Sequence, residues 1–324
     1  MSLPDSATTE ASAHEADGQL RTYVECGRHR NYRWWKPLVA LGVAALILIA
    51  GTVGVRQVIG WLLPQEVTAA RQAAHVLEHP WAFVMAEVPF LIAFLALFCA
   101  VRYVEGRRPG SLSSIAGRLR WNLLSRSCLL SLLFFVPLYS ISVASTGIRQ
   151  DRGGIWIFIL LVLLLTPFQA SIEEYVFRGW APQMLGGWGV PAWLAMALPT
   201  ALFTVGHTYY NWLGLIDVAV FGLCAGWLTL RTGGLEAAIG VHVVNNVAGL
   251  VAVILLGGNP FDGDVTPVGV IISVSIVVAY TAIADRWLRR PLVKEHGVEA
   301  MNGPFGSPKG NFGAVSALKR REVA

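Results

Sequence analysis

GIWIFILLVLLLTPFQASI, residues 154–172, holds no Asp, Glu, Lys or Arg, and Glu173 and Glu174 follow it directly. An apolar run of about 18 residues or more reads as a helix crossing ~30 Å of hydrocarbon. In lipid the backbone must satisfy its own donors and acceptors, which a helix does within itself. Comparable runs stand at roughly 37–60, 81–102, 127–146, 190–207, 213–230, 235–256 and 265–287. The reading is therefore an all-α, polytopic transmembrane helical bundle of about eight transmembrane helices. Pro89, Pro137, Pro167 and Pro199 fall inside these runs and predict kinks that a bundle tolerates.

Composition agrees. The 324 residues are 55% hydrophobic and only 14% charged, against about 25% charged for soluble domains. The net charge of +5 sits mostly in the tails and one loop. It suits membrane orientation and anionic lipid rather than nucleic acid, for which no motif is present. The four cysteines, Cys26, Cys99, Cys128 and Cys224, have no metal-ligand spacing and predict no disulfide framework. Residues 1–30 are polar, without the apolar core of a signal peptide, so the first span reads as a retained signal-anchor.

The chain divides into a disordered tail at 1–30, N-terminal membrane helices at 31–153, a polar-dotted core at 154–256, a last membrane helix at 257–290 and a disordered basic tail at 291–324. Arginines and lysines crowd the segment before the first span, the loop holding Arg107, Arg108, Arg118, Arg120 and Arg126, and the segment from Arg286 onward. The positive-inside rule then puts both termini in the cytoplasm of a cell-membrane protein.

Ionisable groups inside spans cost on the order of 3 kcal/mol each, so each calls for a partner or a function. Glu174 and Arg178 are four apart and can pair on one helical face, which leaves Glu173 turned about 100° away, toward a cavity. Phe203 and His207 share a face in the same way. His242, Asn245 and Asn246 cluster within one span, more polar residues than helix–helix contacts need. Glu87 lies in another span with no local partner.

These residues, EExxxR, then FxxxH, then HxxxN on successive spans, resemble the CAAX protease and bacteriocin-processing (CPBP) family of intramembrane endopeptidases, which includes the type II CAAX prenyl endopeptidases. Arg231-Thr-Gly-Gly-Leu is similar to that family's R-x-G-[ST]-L stretch, with Gly234 in place of Ser or Thr. The resemblance covers about residues 155–256. It implies an endopeptidase in which Glu173 acts as general base. His207 shares the water, while His242 and Asn246 donate to the oxyanion. The family's metallopeptidase label implies the alternative that Glu173, His207 and His242 hold Zn²⁺ or another divalent metal. The expected partners are the bilayer and a peptide or membrane-protein substrate.

Two other function classes stay open from the sequence: a non-catalytic scaffold or bacteriocin-immunity protein on the same fold, and a proton-coupled transporter. Other membrane proteases fit less well. The inverted zinc motif at His75, Glu78 and His79 falls in a loop, Ser111 and Ser113 lie in a polar loop, and Asp217 has no second aspartate inside a span.

Overall fold

The computed structural model describes residues 22–29, 31–73, 79–148, 154–258 and 265–296, the stretch 289–296 by backbone alone. His75 and Glu78 of the inverted zinc motif, Asp262, Asp264, Arg149 and Arg152 lie outside these residues, as does most of both tails.

Among the described residues the fold is all-helical. The helices are α1 (Lys36–Leu62), α2 (Pro64–Gln72), α3 (Pro80–Cys99), α4 (Trp121–Thr146), α5 (Ile155–Glu174), α6 (Ala192–Val205), α7 (Trp212–Thr232), α8 (Glu236–Leu256) and α9 (Pro267–His296). Two helices do not stop where their apolar runs end. α3 continues as a π-helical turn, Ala100–Glu105. α5 passes through a second, Tyr175–Trp180, into Ala181–Gly187. Seven of these rods are long and apolar enough to cross a membrane, and the shorter apolar α6 makes an eighth member of the bundle.

The eight expected spans thus have their helices, with two adjustments. The span read at 154–172 runs on without a break through Glu173 and Glu174 to Gly187. The span read at 190–207 is helical only over the 14 residues Ala192–Val205. At 1.5 Å per residue that is about 21 Å, short of ~30 Å of hydrocarbon. All four prolines lie inside helices as expected.

α1 exposes Leu38, Leu46, Ile49, Val53 and Val58. An apolar surface that no protein covers suits lipid. Trp61, Trp121, Trp156 and Trp212 stand exposed at helix ends, where their amphipathic rings match the membrane interface. α8 is the inner rod and packs against α4, α5 and α7. Its residues Glu236 to His242 are buried without interruption, as a helix surrounded on all sides requires. Small residues permit that packing: a Cβ on Gly240 would lie 2.4 Å from Ser127 Oγ on α4.

The Arg-rich loop also ties helices together. The Arg120 guanidinium donates to both carboxylate oxygens of the fully buried Glu236, at 2.9 and 2.7 Å, and its backbone N–H adds a third bond. Arg107 donates to Glu105 Oε2 at 2.6 Å, and the Trp180 indole donates to Glu105 Oε1 at 2.7 Å. The two π turns are therefore tied together through one carboxylate. Arg231 pairs with Asp285 at 2.9 Å, joining α7 to α9.

Candidate active site

The polar residues of α5, α6 and α8 meet inside the bundle. Glu174 Oε1 accepts from Arg178 Nη1 at 3.1 Å, and both side chains are fully buried. The same oxygen lies 2.7 Å from His242 Nδ1. An arginine-paired carboxylate accepts, so the proton of this bond belongs on Nδ1. That tautomer turns His242 Nε2 toward Glu173, whose Oε2 is 3.5 Å away.

Glu173 Oε1 accepts from the Gln169 side-chain amide one turn earlier. Glu173 Oε2 is buried without a hydrogen-bond partner. The two neighbouring glutamates thus have different tasks. Glu174 is paired with a cation and bonded to His242 Nδ1; among the described residues Glu173 has no cation within reach and presents Oε2 to His242 Nε2.

Asn246 Nδ2 reaches Gln169 Oε1 at 3.4 Å, and Asn245 reaches Asn246 Oδ1 at the same distance. Tyr139 of α4 donates to Asn245 Oδ1 at 3.0 Å. A polar chain therefore runs from α4 through α8 to α5 and ends at Glu173.

Phe203 organises the remaining groups. Its ring lies 4.2 Å from Arg178 Cζ, 4.5 Å from the His207 ring centroid and 6.1 Å from that of His242. Arg178 is held over the ring face as a cation over π electrons. His207 Nδ1 is 2.7 Å from the Phe203 carbonyl. A carbonyl only accepts, so Nδ1 carries the proton and Nε2 is left for water or substrate. α7 comes this close because residue 222 is glycine: a Cβ there would lie 2.7 Å from Arg178 Nη2.

With this geometry, the comparison with known proteins has structural meaning. Residues 152–248 match the family model described as Type II CAAX prenyl endopeptidase Rce1-like. This segment is Rce1-like. The resemblance read from the EExxxR, FxxxH and HxxxN residues is borne out at the family level. A relative in Bacillus subtilis (strain 168), "Uncharacterized protein YyaK", is 25% identical over 176 residues. That alignment spans 50% of this chain and 58% of the relative. No solved structure matches significantly.

The Rce1-like segment contains Glu173, Glu174, Arg178, Phe203, His207, His242 and Asn246. The structure brings Glu173, Glu174, Arg178 and His242 into one contact set. It links Asn246 to them through Gln169 and sets His207 across the Phe203 ring. Gln169 was not singled out from sequence. Its signal was available: an amide one turn before Glu173 in an otherwise apolar run. Tyr139 gave no such signal, because it lies in a span with no other marked residue.

The donor set also bears on a metal. Both histidines have Nδ1 engaged by an oxygen, as metal-binding histidines commonly do. Among the described residues, however, no three His, Cys, Asp or Glu groups converge closely enough to hold one ion. Glu173 and His242 meet, and His207 does not complete a coordination set with them. In this arrangement the residues do not fit a three-ligand centre, and no step is derived through one.

Proposed function

We propose that this chain is an intramembrane endopeptidase that cleaves a peptide bond with water activated by Glu173. The observation that carries the reading is the asymmetry of the glutamate pair: Glu174 is paired with Arg178 and bonded to His242 Nδ1, whereas Glu173 is held by the Gln169 amide and lies 3.5 Å from His242 Nε2. The Rce1-like match supports hydrolysis of this kind.

Glu173 takes a proton from water, and the water oxygen bonds to the scissile carbonyl carbon. The carbonyl π pair moves onto oxygen, where Asn246 donates a hydrogen bond in a low-dielectric site, while His242 Nε2 accepts from the attacking water beside Glu173. The carbonyl re-forms as the C–N bond breaks, and the proton held by Glu173 passes to the leaving amine. His207 Nε2 helps to hold the water. The substrate class is a prenylated C-terminal peptide or a membrane-protein segment.

The test uses the full chain purified into liposomes. It is given a farnesylated Cys-aliphatic-aliphatic-X peptide and, separately, an unprenylated membrane-peptide reporter. Cleavage of at least one is expected, and it should persist in EDTA or phenanthroline. Activity lost to chelator and regained with Zn²⁺ would assign the water to a metal instead. A chain inert on both reporters would leave the scaffold reading.

The proposed location is the cell membrane with both termini cytoplasmic, on the Lys/Arg distribution. A membrane-impermeant thiol reagent applied to intact cells should spare cysteines introduced at residues 20 and 310. Labelling of either from outside would overturn this orientation.

A further inference from the structure

Tyr139 lies on α4, outside the Rce1-like segment, and the mechanism above gives it no task. Its hydroxyl donates to Asn245 Oδ1 at 3.0 Å. The ring rests against α8 where residue 249 is glycine: a Cβ there would lie 3.2 Å from Tyr139 Oη. Gly249 is one turn after Asn245, so ring and hydroxyl engage the same face of α8.

From Asn245 the contacts continue to the proposed base. Asn245 Nδ2 donates to Asn246 Oδ1 at 3.4 Å, and Asn246 Nδ2 donates to Gln169 Oε1 at 3.4 Å. Gln169 Nε2 donates to Glu173 Oε1. Three amides thus stand in series between a phenol and a carboxylate.

The two ends decide which way each amide points. A carboxylate only accepts, so Gln169 turns its NH₂ to Glu173 and its oxygen to Asn246. Asn246 must then present Nδ2 to Gln169, which leaves its oxygen for Asn245. Asn245 spends Nδ2 on Asn246, and its own oxygen needs a donor. The Tyr139 hydroxyl is that donor. The two ends of an amide are nearly alike in shape, so partners rather than packing choose between them.

The choice matters at Asn246. Its Nδ2 carries two hydrogens. One goes to Gln169, and the other remains for the developing oxyanion. An inverted amide would instead turn an oxygen lone pair toward that charge.

We propose that Tyr139 and Gln169 are positioning residues: they hold the Asn245–Asn246 pair in the one orientation that offers an N–H to the oxyanion. This rests on the endopeptidase reading. Neither residue forms or breaks a covalent bond.

Tyr139→Phe keeps the ring and removes only the hydroxyl. In the liposome cleavage assay it is expected to lower kcat roughly 3–10-fold, what one neutral hydrogen bond is worth in a rate, with KM within about twofold. Gln169→Leu releases both Glu173 and Asn246. It should lose roughly 10–100-fold, since a ~1 Å misplacement costs on the order of 10² in rate. The deciding comparison places Tyr139→Phe in an Asn246→Ala background. The described contacts lead from Tyr139 to the reaction through Asn246, so the double variant should be no slower than Asn246→Ala alone. A structural loss would appear in both backgrounds and follow the melting temperature. An equal loss in the two backgrounds overturns the proposal, and so does wild-type kcat in Tyr139→Phe.

A second measurement needs no turnover. The infrared C–O stretch of isotope-labelled tyrosine reports whether the hydroxyl donates, and the Tyr139 band is identified by its loss in Tyr139→Phe. Gln169→Leu should shift that band, although two asparagines stand between the residues. If the wild type cleaves neither reporter but the band shifts, the endopeptidase reading fails while the fixed amide orientation stands. A band unmoved by Gln169→Leu overturns the orientation argument whatever the activity.

Discussion

Glu173→Gln lowers kcat by roughly 10²–10⁴-fold, the range that a positioned general base contributes. The substitution keeps the shape and retains an oxygen to accept from Gln169, but it takes no proton from water. The neighbouring Glu174–Arg178 pair, which makes no hydrogen bond to Glu173, is untouched. Melting temperature should therefore stay at the wild-type value. Asn246→Ala is the companion variant, expected to lose about 10²–10³ for one oxyanion donor, again without unfolding. The check is steady-state cleavage of the liposome reporter beside thermal melts of all three proteins. Normal cleavage by Glu173→Gln would move the base elsewhere in the bundle.

Arg178→Ala should behave in the opposite order and lose stability before activity. Arg178 is wholly buried, pairs with Glu174 and covers the Phe203 ring. Removing it leaves Glu174 as a buried charge without its cation, which costs roughly 3–5 kcal/mol. Expression and detergent-solubilised melting temperature should drop first. The double variant Glu174→Gln/Arg178→Met removes both charges and keeps an acceptor oxygen for the His242 Nδ1–H. It should recover much of the lost stability. A stable but inactive Arg178→Ala would assign Arg178 to the chemistry, and a double variant no better than the single would refute the pairing argument.

The bundle was legible because lipid allows so few solutions. Once a run such as 154–172 lacks charge, a helix is almost forced, and hydrophobic length alone locates it. The pairing of Glu174 with Arg178 was legible for a related reason: both residues lie on one rod, and i,i+4 spacing is local. What could not be read was whatever depends on one helix meeting another. Asn246 touches Gln169, Glu236 receives Arg120 across 116 positions, and Tyr139 finds Asn245 only because α4 lies along α8. Nothing in any single stretch encodes those meetings. The short α6 misled for another reason. Apolar composition continues through Val205 and Gly206 to His207, yet the helix ends at Val205, and His207 sits in the turn that follows with its Nδ1 on the Phe203 carbonyl.

The π turn at Tyr175–Trp180 bears on how this chain is compared with any other. A π turn holds one residue more than an α turn and slips the helix register by that amount. Gln183 follows Glu174 by nine residues. An unbroken α-helical wheel puts the two about 180° apart, whereas one inserted residue brings them within roughly 80°. Gln183 is fully buried, donates to the Ser111 carbonyl and accepts from Arg107. Wheel diagrams and heptad counts drawn straight through this rod therefore mislabel everything after Trp180. A gap placed within 175–180 by an alignment is a change in backbone winding, with every downstream face rotated, even where the letters on either side still match.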